Sequence, residues 1–225
     1  MKLTFHGHAA WHIKTGAADV WIDPFLSDNP GANVDLEKID ADYILLSHAH
    51  FDHLGDTEAI ASRTGATIIT MAELANFMGE KGYVTESLQI GGGQDFPFGR
   101  VKLTPALHSS SYGGNYMGSE AGIILRDHEG ITLYHAGDTG LFSDMTLIGR
   151  EGVDVALLPI GDKFTMDPED ALGAVQLIRP KVTIPMHYNT FPAISQDANA
   201  WKARVEEATD TRVVVLDPGE SYTTA

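Results

Sequence analysis

The chain has 225 residues, 43% hydrophobic and 20% charged, which is enough apolar material for a substantial core and excludes a collagen-like or disordered chain. It has no cysteine, so a disulfide framework, a zinc–thiolate site and a thiol nucleophile are excluded, and any metal must be held by histidines and carboxylates. The formal net charge is −16, and Lys and Arg are scattered singly or in close pairs such as Arg100/Lys102 and Arg179/Lys181, so no basic stripe suits a nucleic acid partner.

In chain order, Met1 to His8 lacks the apolar core of a secretory signal. No apolar run approaches the ~20 residues of a membrane span, so a cytoplasmic protein without a membrane partner is expected. Leu3 to His6, Trp11 to Lys14 and Asp19 to Ile22 read as short strands, with turns at Gly7-His8 and Thr15-Gly16. Tyr43 to Leu46 is an apolar strand. A helix is expected from Asp56 to Ser62, closed by Gly65, then a strand at Ala66 to Thr70 and a short helix at Ala72 to Gly79. Val101 to Ala106, Ala121 to Arg126 and Ile131 to His135 are further strands, the last two joined by a turn at Asp127 to Gly130. Val155 to Ile160 is a continuous apolar run suited to a strand buried on both faces.

The clearest helix begins at Asp167, a candidate N-cap followed by Pro168. Ala171, Ala174, Val175 and Ile178 form its apolar face, and Pro180 stops it. Val182 to Met186 is a strand, Asp197 to Ala208 a helix and Arg212 to Leu216 a last strand. With no linker or repeat, one domain over residues 1–225 is expected, as two packed sheets with helices outside.

The chemistry concentrates after the strand ending at Leu46. Ser47-His48-Ala49-His50-Phe51-Asp52-His53-Leu54-Gly55-Asp56 places four metal-binding side chains within six residues. In an extended backbone His48, His50 and Asp52 project to one side, while His53 needs a turn to join them, which Gly55 would ease. Imidazoles with a carboxylate suit zinc, manganese or iron. A merely solvated His-rich loop would explain neither the spacing nor the apolar strand leading in.

His-x-His-x-Asp-His after a strand resembles the signature of the metallo-β-lactamase superfamily. The companion pieces follow in that family's order: Asp23 in Trp21-Ile22-Asp23-Pro24, His108 in Ala106-Leu107-His108-Ser109, Asp138 in His135-Ala136-Gly137-Asp138-Thr139, and His187 in Pro185-Met186-His187-Tyr188. The opening Phe5-His6-Gly7-His8-Ala9-Ala10 and the run Met186 to Pro192 are similar to a group of small bacterial metal-dependent hydrolases related to ascorbate-6-phosphate lactonases.

The resemblance implies an α/β (α+β) fold, a four-layer αββα sandwich with the metals at one edge. It implies two divalent ions, zinc first and manganese second. His48, His50 and His108 would hold one ion, Asp52, His53 and His187 the other, and Asp138 would bridge them. Asp23 would orient the metal-binding loop. Asp at position 138, where antibiotic-cleaving relatives commonly carry Cys or Ser, points away from β-lactams. The implied reaction is hydrolysis of a small ester, lactone or phosphodiester by a hydroxide shared between the ions.

Asp52 is read first as a ligand and second as a proton acceptor. His8 is a candidate for substrate contact or leaving-group protonation. Asp52, His8 and Asp138 are therefore the catalytic candidates. His6 is read as structural, His135 as supporting or core, and His12 and His128 as incidental. Tyr188 and Asn189 are read as loop packing ahead of oxyanion donors, and Ser109 to Gly118 as a loop that could cover substrate. Gly91-Gly92-Gly93 lacks the strand and lysine of a phosphate loop. The expected partner is a small molecule, compatible with an anion, and a homo-oligomer is an open expectation. Rival readings are an iron oxidoreductase on the same fold and a metal-binding protein without turnover.

Overall fold

Alternation of side chains along the early strands sets the layering. In the computed structural model, which describes residues 1–224, Val20, Ile22, Leu45 and Ile69 belong to one buried cluster, while their neighbours Trp21, Ile44, Leu46 and Ile68 belong to another. A sheet that buries both faces must be covered on both, which requires a second sheet on one side and helices on the other.

The first sheet contains β1 (Lys2–Phe5), β2 (Trp11–Lys14), β3 (Asp19–Ile22) and β4 (Tyr43–Leu45). The chain then makes α1 (Phe51–Leu54) and α2 (Thr57–Thr64), adds β5 (Thr67–Met71), passes through α3 (Ala72–Glu80) and adds β6 (Thr85–Leu88). Ile60, Ala61, Leu74 and Met78 of α2 and α3 cover the outer face.

The second sheet takes β7 (Gly93–Phe96) and β8 (Gly99–Pro105). After a small hairpin of β9 (Ser111–Tyr112) and β10 (Asn115–Tyr116), it takes β11 (Ala121–Arg126) and β12 (Thr132–His135). Then α4 (Met145–Gly149), β13 (Val155–Pro159), α5 (Pro168–Ile178), β14 (Val182–Met186), α6 (Ala198–Ala208) and β15 (Arg212–Val213) alternate, and β16 (Ser221–Thr223) returns to the first sheet. The sheet orders are β16-β1-β2-β3-β4-β5-β6 and β15-β14-β13-β12-β11-β8-β7. This is the expected αββα sandwich. In each sheet an antiparallel half joins a parallel half.

Local chemistry behaves as read at α5. The Asp167 carboxylate accepts from Asp170 N at 2.7 Å, a cap worth about 1 kcal/mol, and Ala171, Ala174, Val175 and Ile178 are buried. The expected strand Arg212 to Leu216 is shorter: only Arg212 and Val213 pair in the ladder, and Val214 N adds one bond to Thr183 O. The strands β6, β7, β9, β10 and β16 and the short helix α4 were not expected from the pattern.

Strand direction positions the site. Because β1, β3 and β4 run one way in their sheet, and β8, β12 and β14 run one way in theirs, the segments after them emerge together along one edge of the sandwich. These segments carry His8, Asp23, the His48–His53 motif, His108, Asp138 and His187.

Candidate metal centre

The His-rich motif stays extended only as far as His50 (φ −62°, ψ 153°), and then α1 makes a single helical turn. That turn swings His53 inward and also carries Asp52. The expectation that Asp52 would align with His48 and His50 along one extended strand therefore fails, although all four side chains converge. Gly55, at φ 44°, closes the turn; a Cβ there would lie 2.6 Å from Phe25 Cα.

Three groups have donor atoms within 4.8 Å of one another; two form separate clusters, His48, His50 and His108, and His8, Asp52, His53 and His187, and the third, Asp23, His48 and His53, shares its rings with both. In the first, His48 Nε2 lies 2.9 Å from His50 Nδ1. Asp138 stands between the clusters. Its Oδ1 is 3.3 Å from His53 Nε2, and its Oδ2 is 3.0 Å from His187 Nε2 and 3.8 Å from His108 Nε2. All seven ligand candidates are thus brought together, and His8 joins them.

Buried partners fix the ring orientations. Asp23 accepts three hydrogen bonds: from Ser47 N at 2.8 Å, Ser47 Oγ at 2.6 Å and His53 Nδ1 at 2.7 Å. Because the Ser47 hydroxyl donates to Asp23, it accepts from His48 Nδ1 at 3.0 Å. Both imidazoles are therefore held through Nδ1, leaving Nε2 to face the centre. Asp52 Oδ2 accepts from His8 Nε2 at 3.2 Å, and His8 Nδ1 then accepts from Thr190 Oγ1 at 2.9 Å. His8, Asp23 and His187 hold φ values of 55°, 45° and 53°, a left-handed backbone costing about 1–3 kcal/mol at each non-glycine residue. The surrounding hydrogen bonds, including His187 N to His8 O at 2.7 Å, hold that strain in place.

Sequence reasoning missed Glu120. It is fully buried; its Oε1 accepts from Asp138 N at 2.8 Å and its Oε2 lies 2.8 Å from His48 Nδ1. The available signal was a carboxylate placed directly before the apolar strand β11. Ser47 and Thr190 were missed as well, being ordinary residues beside conspicuous ones.

The electrostatics divide the donors by type. Burial pushes His48 well below its ordinary pKa, aided by the neighbouring His53, which favours a neutral ring. Burial would raise Asp138, but the His187 and His53 rings outweigh it and hold the carboxyl well below the usual range. Burial would lower His53, but Asp138 and Asp23 outweigh it and raise the ring well above its ordinary value. A ring forced cationic between two carboxylates marks a point where the site demands positive charge.

The sequence profile described as "Beta-lactamase superfamily domain" matches residues 2–187. A UPF0173 metal-dependent hydrolase of Pelotomaculum thermopropionicum is 48% identical over 227 residues, covering 98% of this chain and 99% of the relative. The chain belongs to the beta-lactamase superfamily, in its group of metal-dependent hydrolases. A second member, from Desulforamulus reducens, is 50% identical over 226 residues, covering 98% of each chain. The solved structure of Igni18, a metallo hydrolase from Ignicoccus hospitalis, superposes with a TM-score of 0.92 at 41% identity, covering 100% of this chain and 99% of that one.

The donor set of this superfamily member fits metal. Asp138 Oδ1, His53 Nε2 and both His187 ring nitrogens are buried without a hydrogen-bond partner, although His53 Nε2 lies 3.3 Å from Asp138 Oδ1 and His187 Nε2 3.0 Å from Asp138 Oδ2. A cation beside Asp138 would accept the Asp138 oxygen and the Nε2 lone pairs of His53 and His187 as ligands.

The other histidines lie outside the clusters. His135 accepts from Gly137 N at 3.1 Å and donates to Ala9 O at 3.1 Å, a buried structural role. His6 and His12 stack on Trp21, and His128 bonds Pro97 O. Asn189 braces its own loop, accepting from Gln196 N at 2.9 Å, and Tyr188 packs on the core. In the Ser109 to Gly118 segment β9 and β10 form an exposed hairpin whose Tyr112 leans on Phe77 of α3, and Ser109 is the part that lines the cavity. That cavity, about 530 Å³, opens over His50, His108, Asp52, Asp138 and His187, with Phe51, Phe164, Phe191 and Ile194 as walls. Among the described residues, no helix is long and apolar enough to cross a membrane.

Proposed function

We propose that this chain hydrolyses a small ester, lactone or phosphodiester at a centre of two divalent ions, with zinc the first metal to test and manganese the second. The observation that carries this reading is Asp138. A carboxylate held ionised, with one oxygen toward His53 and the other toward His187 and His108, suits a ligand shared by two ions. His48, His50 and His108 would hold one ion, and Asp52, His53 and His187 the other. Bound divalent ions supply Lewis acidity toward water and toward the oxygen of the bond under attack.

The chain's own residues supply the rest. Asp23 and Ser47 hold the His48 and His53 rings in one tautomer and one orientation. His8 takes up the second oxygen of Asp52, so that carboxylate is positioned for ligation ahead of proton transfer. Through the same contact His8 keeps a ring facing the cavity, from which it could pass a proton to a departing oxygen.

The test is a panel of lactones, carboxylic esters, phosphodiesters and thioesters, run with zinc- or manganese-reconstituted protein and with Asp138→Ala. Turnover that requires metal and is lost in Asp138→Ala supports the reading. Two tightly held ions without turnover of any bond class would overturn the hydrolytic part, and failure to retain metal would overturn the centre itself.

A further inference from the structure

The cavity over the donor clusters is chemically one-sided. Its floor carries the ligand candidates, and its walls are Phe51, Phe164, Phe191 and Ile194. Phe51 and Phe164 are 64% and 53% exposed, although an aromatic ring left in water is costly, and together they flank the opening. No Lys or Arg is among the described residues that line it. Lys163 lies over the Phe164 ring, 5.2 Å from its centroid, and does not line the cavity. The titratable side chains that do line it are histidines and the carboxylates Asp52 and Asp138.

We infer that the substrate is a carboxylic ester or lactone whose acyl part is uncharged and apolar, seated against Phe51, Phe164, Phe191 and Ile194. This rests on the hydrolase reading and narrows it. A charged group at the scissile bond could be neutralised by the ions, but within the cavity a phosphate or carboxylate remote from that bond would face aromatic carbon with no lining Lys or Arg to pair with, Lys163 lying beyond the Phe164 wall. In the reaction the acyl carbon–oxygen bond breaks and the oxygen of water joins the acyl carbon. One of its protons goes to the departing alcohol, and the other is released as the acid ionises. A small anion is compatible with this acidic chain only through the positive charge that bound divalent ions would add, and the inference narrows that opening to charge at the scissile bond.

Two measurements on zinc-loaded protein test this. In the first, 4-nitrophenyl acetate, butanoate and hexanoate are compared with esters of equal length ending in a carboxylate. kcat/KM should rise about fourfold per methylene, the factor for burying one CH₂, and should fall at least about tenfold for the carboxylate-ended partner. A flat series, or a preference for the charged ends, overturns the inference. The second uses calorimetric binding of hexanoate and adipate, which needs no turnover. Hexanoate should bind more tightly, and Phe164→Lys should narrow or reverse the order. If the esters are inert but the acids keep this order, the carboxylic-ester assignment fails while the apolar occupant stands; the hydrolase reading fails only if the full panel of bond classes is inert too. If adipate binds as well as hexanoate, the apolar occupant fails whatever the esters do.

Discussion

The Glu120 carboxylate takes the amide hydrogen of Asp138 at 2.8 Å, with its other oxygen 2.8 Å from His48 Nδ1, so one buried side chain touches a residue from each sheet at the candidate centre. Burial and the nearby Asp138 carboxylate push the Glu120 carboxyl well above its ordinary pKa. A group held there against such a penalty has a positional task. Gly137, at φ 64°, permits it, since a Cβ at that residue would overlap the Glu120 carboxylate. Glu120→Ala removes the acceptor of the Asp138 N–H and empties the space beside His48 Nδ1, so both neighbours lose their support at once. Metal affinity is expected to fall about 10–100-fold, the usual effect of losing a partner behind a ligand. Titrating metal-stripped protein measures this, with circular dichroism to verify the fold; unchanged affinity in a folded variant would reject the positional task.

His8 makes a comparable prediction for one cluster alone. Its ring bonds Asp52 and Thr190 and lies 4.0 Å from the His187 ring, centroid to centroid, but it has no bond to His48, His50 or His108. Asparagine tolerates the left-handed backbone at this position, so His8→Asn removes the ring bonds with little added strain. Stepwise metal titration should then give one event of near-native affinity and one weakened about 10–100-fold. Equal weakening of both events would contradict the division into two clusters.

The ligand candidates were legible because their side chains are chemically conspicuous and each follows an apolar strand, as His48 follows β4 and His187 follows β14. The edge strands of the two large sheets that the pattern missed escape for one physical reason. β6, β7 and β16 are edge strands whose Thr85-Glu86-Ser87, Gln94-Asp95 and Ser221-Tyr222-Thr223 segments face water in part, so they lack the alternation that burial on one face imposes. Glu120 and Thr190 escaped for a different reason: their partners, Asp138 and His8, lie 18 and 182 residues away, and only the folded chain brings them together.

Removing metal should cost stability as well as activity. Asp138 Oδ1, His53 Nε2 and the His187 ring nitrogens have no hydrogen-bond partners, so ion binding would engage atoms left unpaired in the fold. With free metal at about 100 times Kd, each independent ion stabilises the fold by about 2.7 kcal/mol, and at about 2–4 °C per kcal/mol for a chain of this size a chelator should lower Tm by about 5–10 °C for each ion removed. Re-adding zinc or manganese should restore it. A melting curve indifferent to chelator would exclude these side chains as a tight metal centre.

Acid sensitivity should arise partly at His6, away from the donor clusters. Burial, with a smaller contribution from His12, lowers the His6 pKa to about 4 from the ordinary 6.5, and the ring is stacked on Trp21 at 4.9 Å. Between pH 6.5 and pH 4 the unfolded chain therefore binds a proton at His6 that the folded chain excludes, so the neutral ring's contribution to stability is lost as pH falls through this window. His6→Phe keeps an aromatic ring against Trp21 and removes the titrating group. Melting temperatures measured from pH 7 to pH 4.5, with chelator present throughout so that metal release contributes nothing, should fall less steeply for His6→Phe than for the parent. Parallel curves would mean that the His6 ring is protonated in the folded protein as readily as in the unfolded chain, which would contradict its enclosed position beside Trp21.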